Sequence, residues 1–224
     1  MKKPLIIGHR GSIVQGPENT LSSFKKAIES GIDMIELDVR LSKDDHLVIM
    51  HDESVYRTTN GKGFIGSLTL KQIKKLRINK TEKVPTLQEA VNLIKGKCMI
   101  NIHVKEYKAA DKILELIDRN KIHDDVLVSS FSERTIKHIK SKNPEIKTGY
   151  LFRRPILLYI ALAKRTGADA LHPHHKLVTR RFVKKAHDNG LEINVWPIKN
   201  KETASKLKRF GVDGLIINSL GMIK

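Results

Sequence analysis

Glu36 and Asp38 stand two residues apart in Ile35-Glu36-Leu37-Asp38-Val39-Arg40-Leu41, a run in which apolar and charged residues alternate strictly. Alternation at period two is the signature of a strand, so both carboxylates share one face of it. A turn-like Ser42-Lys43-Asp44-Asp45-His46 and a short apolar run then lead into His51-Asp52. If the turn closes a hairpin, His51 and Asp52 return beside Glu36 and Asp38. Two adjacent carboxylates offering oxygen suit a hard divalent cation, Mg2+ or Ca2+. His9 and His51 are of the type that exchanges protons near neutral pH. Arg10 and Lys105 offer positive charge to a phosphate. A metal, cations and an acid/base pair together point to phosphoryl transfer or hydrolysis, where charge develops on oxygens around phosphorus.

Taken singly, each of these residues has a plainer use. Glu36 and Asp38 can be ion-paired to Arg10 and Lys105, a lone strand histidine is commonly a hydrogen-bonded structural group, and Trp196 can simply pack. His172-Pro173-His174-His175 looks like a metal tract, but neighbouring histidines in a loop tend to diverge. Convergence gives the set its weight, and convergence depends on the elements that carry it.

Short apolar runs alternate with amphipathic stretches throughout. Strands are expected near residues 5–7, 34–41, 47–50, 99–104, 126–129, 148–152, 168–172, 192–196 and 214–217. Helices are expected near 20–29, 70–76, 87–94, 109–120, 133–142, 156–166, 179–189 and 202–210. This alternation implies βαβ units and a parallel sheet. If residues 47–50 are only the return arm of a hairpin, eight strands remain, which predicts a (β/α)8 TIM barrel with an open, doubly wound sheet as the alternative. In the barrel, strand ends carry the chemistry: His9 and Arg10 after the first, Glu36 and Asp38 on the second, His103 and Lys105 together on one face of the next, and later Ser129, His172, Asn194, Trp196 and Asn218. Residues 1–224 read as one domain, with a small insertion at about 53–85 after His51-Asp52, where Asn60-Gly61-Lys62-Gly63 marks loops.

A chain of 224 residues, 40% hydrophobic, suffices for such a core. The single cysteine, Cys98, excludes an intrachain disulfide. The apolar run after Lys2-Lys3 is far too short for a signal-peptide core, and no stretch approaches the roughly 18 apolar residues of a membrane helix, so a cytoplasmic protein is expected. The formal charge of +18 suits an anionic partner, whether phosphate esters, peripheral contact with an anionic membrane, or nucleic acid, or else reflects a lysine-rich surface. Lysines scattered along helices and only 5% aromatic residues argue against a nucleic-acid surface.

At these residues the chain resembles the glycerophosphodiester phosphodiesterase family. The matching pieces run in order along nearly the whole chain: Gly8-His9-Arg10-Gly11, Pro17-Glu18-Asn19-Thr20, Glu36-Leu37-Asp38-Val39, His51-Asp52, Arg57-Thr58-Thr59-Asn60-Gly61, Pro85-Thr86-Leu87-Gln88-Glu89, Ser129-Ser130-Phe131, Asn194-Val195-Trp196 and Asp213-Gly214. The resemblance implies a (β/α)8 barrel that hydrolyses a small-molecule glycerophosphodiester to sn-glycerol 3-phosphate and an alcohol. It further implies attack by the glycerol 2-hydroxyl and a cyclic phosphate that water opens. It makes His9 and His51 the acid/base pair and Glu36 and Asp38 metal ligands, and gives substrate binding to Arg10 and Lys105, with Trp196 beside them. One departure matters. The family's third metal carboxylate, two residues before the lysine, is here His103, which retains a ligand but widens the expected metals from Mg2+ and Ca2+ towards Mn2+, Co2+ or Zn2+. Asn218 stands where the family often has Asp. Two other readings stay open: lysophospholipase-D-like action on acylated lipids, with Phe64-Ile65 and residues 156–160 as apolar contacts, or a non-catalytic protein that binds phosphate or a headgroup.

Overall fold

The computed structural model describes residues 3–154 and 158–222. Among these residues nine strands form in chain order: β1 (Leu5–His9), β2 (Met34–Leu41), β3 (Leu47–Ile49), β4 (Met99–Val104), β5 (Val126–Ser130), β6 (Lys147–Phe152), β7 (Ala170–Pro173), β8 (Glu192–Ile198) and β9 (Gly214–Ile217). Strand β1 pairs in parallel with both β2 and β9, which closes the sheet into a (β/α)8 barrel of eight parallel strands. Strand β3 is the extra one, and it pairs antiparallel to the end of β2, with Leu41 opposite Leu47 and Val39 opposite Ile49. It is the hairpin arm that the turn at residues 42–46 implied. The helices are α1 (Leu21–Glu29), α2 (Leu70–Ile73), α3 (Leu87–Ile94), α4 (Ala110–Asn120), α5 (Glu133–Lys142), α6 (Tyr159–Thr166), α7 (Arg180–His187) and α8 (Lys201–Phe210). None is long and apolar enough to cross a membrane among the described residues.

Local chemistry sets these boundaries. Thr20, Thr69 and Thr86 each close a capping box at a helix start, satisfying donors that the first turn leaves free. Helix α2 stops at Ile73 rather than residue 76, because the chain turns so that the Arg77 amide can donate to Asn60 Oδ1 at 2.8 Å. Strand β8 runs on past Trp196 to Ile198 through an irregularity in its pairing with β9.

Both faces of β2 are buried, so its alternation separates two interiors and not core from water. Ile35, Leu37 and Val39 pack outward in an apolar cluster with Phe24 of α1, Leu87 and Val91 of α3 and Ile113 and Ile117 of α4. Inside the barrel, Ile7, Met34, Leu127 and Ile216 form an apolar floor. A polar layer of Asn101, Ser129, His172 and Asn194 is also buried. Two glycines make room for that layer. A Cβ on Gly149 would lie 2.4 Å from His172 Nε2, and one on Gly214 would lie 2.2 Å from Asn194 Oδ1. Between β3 and α3 the chain folds over its own apolar cluster of Val48, Met50, Val55, Ile65, Ile73, Ile78 and Val84 at the catalytic end.

Candidate active site

The eight residues singled out by type and spacing, His9, Arg10, Glu36, Asp38, His51, His103, Lys105 and Trp196, line one cleft of about 420 Å3 at the C-terminal ends of the strands. This is the end at which barrels of this kind place ligands.

His9 closes β1, opposite Glu36 in the register. The chain then turns through left-handed backbone at Arg10 (φ 53°) and Gly11 (φ 89°). That turn aims the Arg10 amide at Glu36 Oε2, 2.9 Å away. The Arg10 guanidinium meets Glu18 at 2.8 Å and Asp38 Oδ2 at 3.2 Å. Asn19 is also left-handed (φ 57°), and its Nδ2 donates to Asp38 Oδ2 at 2.9 Å. Pro17-Glu18-Asn19-Thr20 therefore has a distinct task at each polar position. Glu18 anchors Arg10, Asn19 anchors Asp38, and Thr20 caps the start of α1.

Asp38 is the most crowded group. Lys105 Nζ and His103 Nδ1 each lie 2.9 Å from its Oδ1. Burial raises its carboxyl, but the hydrogen bond to His103 and the charges of Lys105 and Arg10 outweigh this and hold it well below the ordinary range. The carboxylate thus stays ionised. His103 Nδ1 is also 3.5 Å from Glu36 Oε1. Donor atoms of Glu36, Asp38 and His103 lie within 4.8 Å of one another, and these three form a buried group that can hold a metal ion. Two carboxylate oxygens and an imidazole nitrogen converging on one spot fit a divalent cation.

The hairpin returns His51 to this cluster, where Arg40 Nε donates to the His51 carbonyl at 3.0 Å. The imidazole is oriented by Asp52, with Nδ1 to Oδ1 at 2.5 Å, which leaves Nε2 free. Asp52 does not line the cleft with Glu36 and Asp38; it pairs with Arg57, whose hydrogen bond lowers the Asp52 pKa to about 2. Burial lowers the pKa of His51, with the Lys105 and Arg10 charges adding to that effect against Asp38 and Asp52. On the other side of the cleft, His9 Nδ1 lies 3.0 Å from Asn218 Oδ1. Because an amide oxygen only accepts, this contact places the His9 proton on Nδ1 and frees Nε2.

Trp196 is held by its indole N–H, which donates to the His172 carbonyl at 2.7 Å, and its ring meets Phe131 edge-on at 5.8 Å. Among the described residues the histidine tract forms no group of three or more metal-ligating side chains. His172 is buried in the barrel interior, while His174 lines the cleft with its ring 4.5 Å from that of His175. Ser129 and Asn194 belong to the polar layer below, where the Ser129 hydroxyl donates to Asn101 Oδ1 at 2.7 Å. Of the apolar contacts considered for an acyl chain, Ile65 is buried in the cap cluster and Phe64 is exposed. Leu158 is exposed and Tyr159 buried, while residues 156 and 157 lie outside the described residues. Sequence reasoning missed the anchoring roles of Glu18, Asn19 and Asn218, and missed Arg153 altogether. The first three stand in or beside the motifs, but their partners become visible only in three dimensions.

The chain matches the Glycerophosphoryl diester phosphodiesterase family over residues 9–222. It is 37% identical over 227 residues to a glycerophosphodiester phosphodiesterase of Caldanaerobacter subterraneus subsp. tengcongensis, covering 96% of this chain and 93% of the relative. It is also similar to a solved phosphodiesterase of Oleispira antarctica in complex with the product sn-glycerol-3-phosphate, with a TM-score of 0.93, 29% identity, and 98% and 95% of the two chains covered. A glycerophosphodiester phosphodiesterase structure from Thermotoga maritima superposes with a TM-score of 0.83 at 30% identity over 97% of this chain and 96% of that one.

Proposed function

The chain belongs to the glycerophosphoryl diester phosphodiesterase family and is a phosphoric diester hydrolase, and from that premise we propose that its cleft converts glycerophosphodiesters to sn-glycerol 3-phosphate and an alcohol by attack of the glycerol's own 2-hydroxyl. The observation that carries the reading is the pair His9 and His51, each with Nδ1 engaged and Nε2 free, in one cleft with Arg10, Lys105, Glu36, Asp38 and His103.

Arg10 and Lys105 hold the phosphate oxygens. Asp38 pairs with both cations and holds them in place. One histidine takes the proton of the 2-hydroxyl as that oxygen bonds to phosphorus, and the other protonates the departing alkoxide. A five-membered cyclic phosphate results, and the same pair with roles exchanged delivers water to it. Intramolecular attack replaces a bimolecular encounter by a positioned one. Glu36, Asp38 and His103 would hold a divalent metal, which supplies Lewis-acid charge stabilisation when bound. All of residues 1–224 serve this as one catalytic unit, with residues 53–85 as an insertion whose Arg57 reinforces Glu18 and Asp52.

The test is release of sn-glycerol 3-phosphate from glycerophosphoglycerol, glycerophosphoethanolamine and glycerophosphocholine, after EDTA treatment and with single metals restored. Release that needs metal and falls by at least a hundredfold in His9→Ala and His51→Ala is expected; roughly that loss follows from removing a general acid or base. Metal binding and diester binding without any release would instead identify a non-catalytic headgroup-binding protein.

A further inference from the structure

The cleft has two unlike walls. In the barrel order β1, β2, β4, β5, β6, β7, β8, β9, strand β2 with Glu36 and Asp38 faces β7, and β4 with His103 and Lys105 faces β8. The far wall is built from the loops after β6, β7 and β8 and presents Arg153, His174 and Lys199. The two carboxylates that line the cleft, Glu36 and Asp38, both stand on the near wall. Among the described residues, neither Arg153 nor Lys199 joins an ion pair, whereas Arg10, Arg40, Arg57 and Lys105 all do. A row of rings links the walls: His103 to Phe131 at 5.6 Å, Phe131 to Trp196 at 5.8 Å, and Trp196 to His174 at 5.5 Å.

Arg153 lies along this row. Its guanidinium carbon is 5.1 Å from the Phe131 ring centre and 5.5 Å from that of Trp196, within cation–π range of both. An aromatic pair beside a phosphodiester site would otherwise attract a quaternary ammonium, but here a cation of the protein is already placed against both rings. A choline-like group arriving there meets like charge. An anion meets a guanidinium whose forked donors match phosphate or carboxylate.

We propose that Arg153, His174 and Lys199 form a second anion subsite, which selects glycerophosphodiesters whose departing alcohol itself carries a phosphate or carboxylate. The inference rests on the catalytic reading above and names its substrate class. His174 takes part as a neutral donor, since burial and the neighbouring His175, Lys176, Arg153 and Lys199 push its pKa down.

The experiment compares kcat/KM for four diesters: glycerophosphoglycerol, the same diester phosphorylated on its distal hydroxyl, glycerophosphoglycerate, and glycerophosphocholine. Wild type should favour the phosphorylated form over its neutral parent roughly tenfold, the effect of one charge-assisted contact. The carboxylate should fall between, and choline should be the poorest. The preference should lie in KM and shrink with added salt. Arg153→Glu and Lys199→Glu, both at exposed positions, should each bring the anionic-to-neutral ratio to parity or below. Hydrolysis with no anionic preference, or a preference unmoved by either reversal, overturns the inference and leaves the catalytic reading intact. Equilibrium binding of the four diesters to His51→Ala reads the subsite without turnover. Anion-selective binding there, with no hydrolysis by wild type, supports the subsite and overturns the catalytic reading.

Discussion

Asn218 Oδ1 and His9 Nδ1 meet at 3.0 Å although 209 residues separate them in the chain. They meet because β9 closes the barrel against β1, with Gly8 opposite Ile217. His51 has a carboxylate, Asp52, in the equivalent place. The two histidines are therefore oriented in the same tautomer by chemically different partners, one of which carries charge and one of which does not.

Removing the neutral partner should cost orientation without emptying the cleft. Asn218→Ala is expected to lower kcat by about 10- to 100-fold, the usual effect of losing the group that orients a functional imidazole. Asn218→Asp should retain most activity, because a carboxylate accepts the same proton. Nitrogen chemical shifts of His9 would report the tautomer directly. Unchanged kcat in Asn218→Ala would remove Asn218 from the mechanism.

Asn19 supports Asp38 in a comparable way, but its loss should appear as instability. Its side chain donates to the buried Asp38 carboxylate and accepts from the Asp38 amide, and its left-handed backbone is one that Asn tolerates better than most residues. Asn19→Ala is expected to destabilise the fold by about 1–3 kcal/mol, the penalty for leaving buried polar groups short of a partner. Urea denaturation would measure it. A loss below about 0.5 kcal/mol, the level of an ordinary surface change, would show that Arg10 and Lys105 satisfy Asp38 without it.

How much of this was legible in the sequence follows from the range of the interactions. Period-two alternation from Ile35 to Leu41 gave the strand and the shared face of Glu36 and Asp38, because strand geometry is local. The turn at residues 42–46 gave the hairpin, and excluding that hairpin arm from the count gave eight barrel strands. Residue type alone could not reveal that Glu18 bridges Arg10 and Arg57, since Arg57 lies 39 residues away in a loop without periodicity. By residue type Arg153 is one of 42 Lys and Arg residues in a chain of charge +18. Only the closure of the barrel sets it over Phe131 and Trp196.

His103 sets the next prediction. Its Nδ1 lies 2.9 Å from Asp38 and 3.5 Å from Glu36, where a third carboxylate would add negative charge and a hard oxygen. Relative to His103→Glu, wild type should bind Mg2+ and Ca2+ more weakly, by roughly tenfold, and favour Mn2+, Co2+ or Zn2+. Calorimetric titration of each metal into both proteins decides the matter independently of turnover. Superimposable metal profiles would show that His103 is not a ligand.

The buried His172 ties stability to pH. Burial lowers its pKa from 6.5 to about 3, and Asn194 Nδ2, 3.1 Å away, donates to its Nε2, which favours the neutral ring. Unfolded chains bind a proton at this histidine below about pH 6.5, while the folded protein refuses it until about pH 3. The unfolded state therefore holds more protons throughout that window, so unfolding free energy must fall as pH is lowered through it. The contribution of a single group is limited to about 1.4 kcal/mol per pH unit. Between pH 6.5 and 5 the lowered carboxylates of Asp38 and Asp52 stay ionised in the fold and nearly so in the unfolded chain, so the histidines dominate the slope, and Glu18 and Glu89, also lowered, add to it only towards pH 5. His51, His174 and His175 are shifted in the same direction, so the informative quantity is the difference between wild type and His172→Gln. Urea denaturation at pH 7, 6 and 5 should give a shallower pH dependence for the variant, whatever its stability at pH 7. Parallel slopes would mean that the barrel interior admits the imidazolium, and that the polar layer beneath the cleft is open to protons.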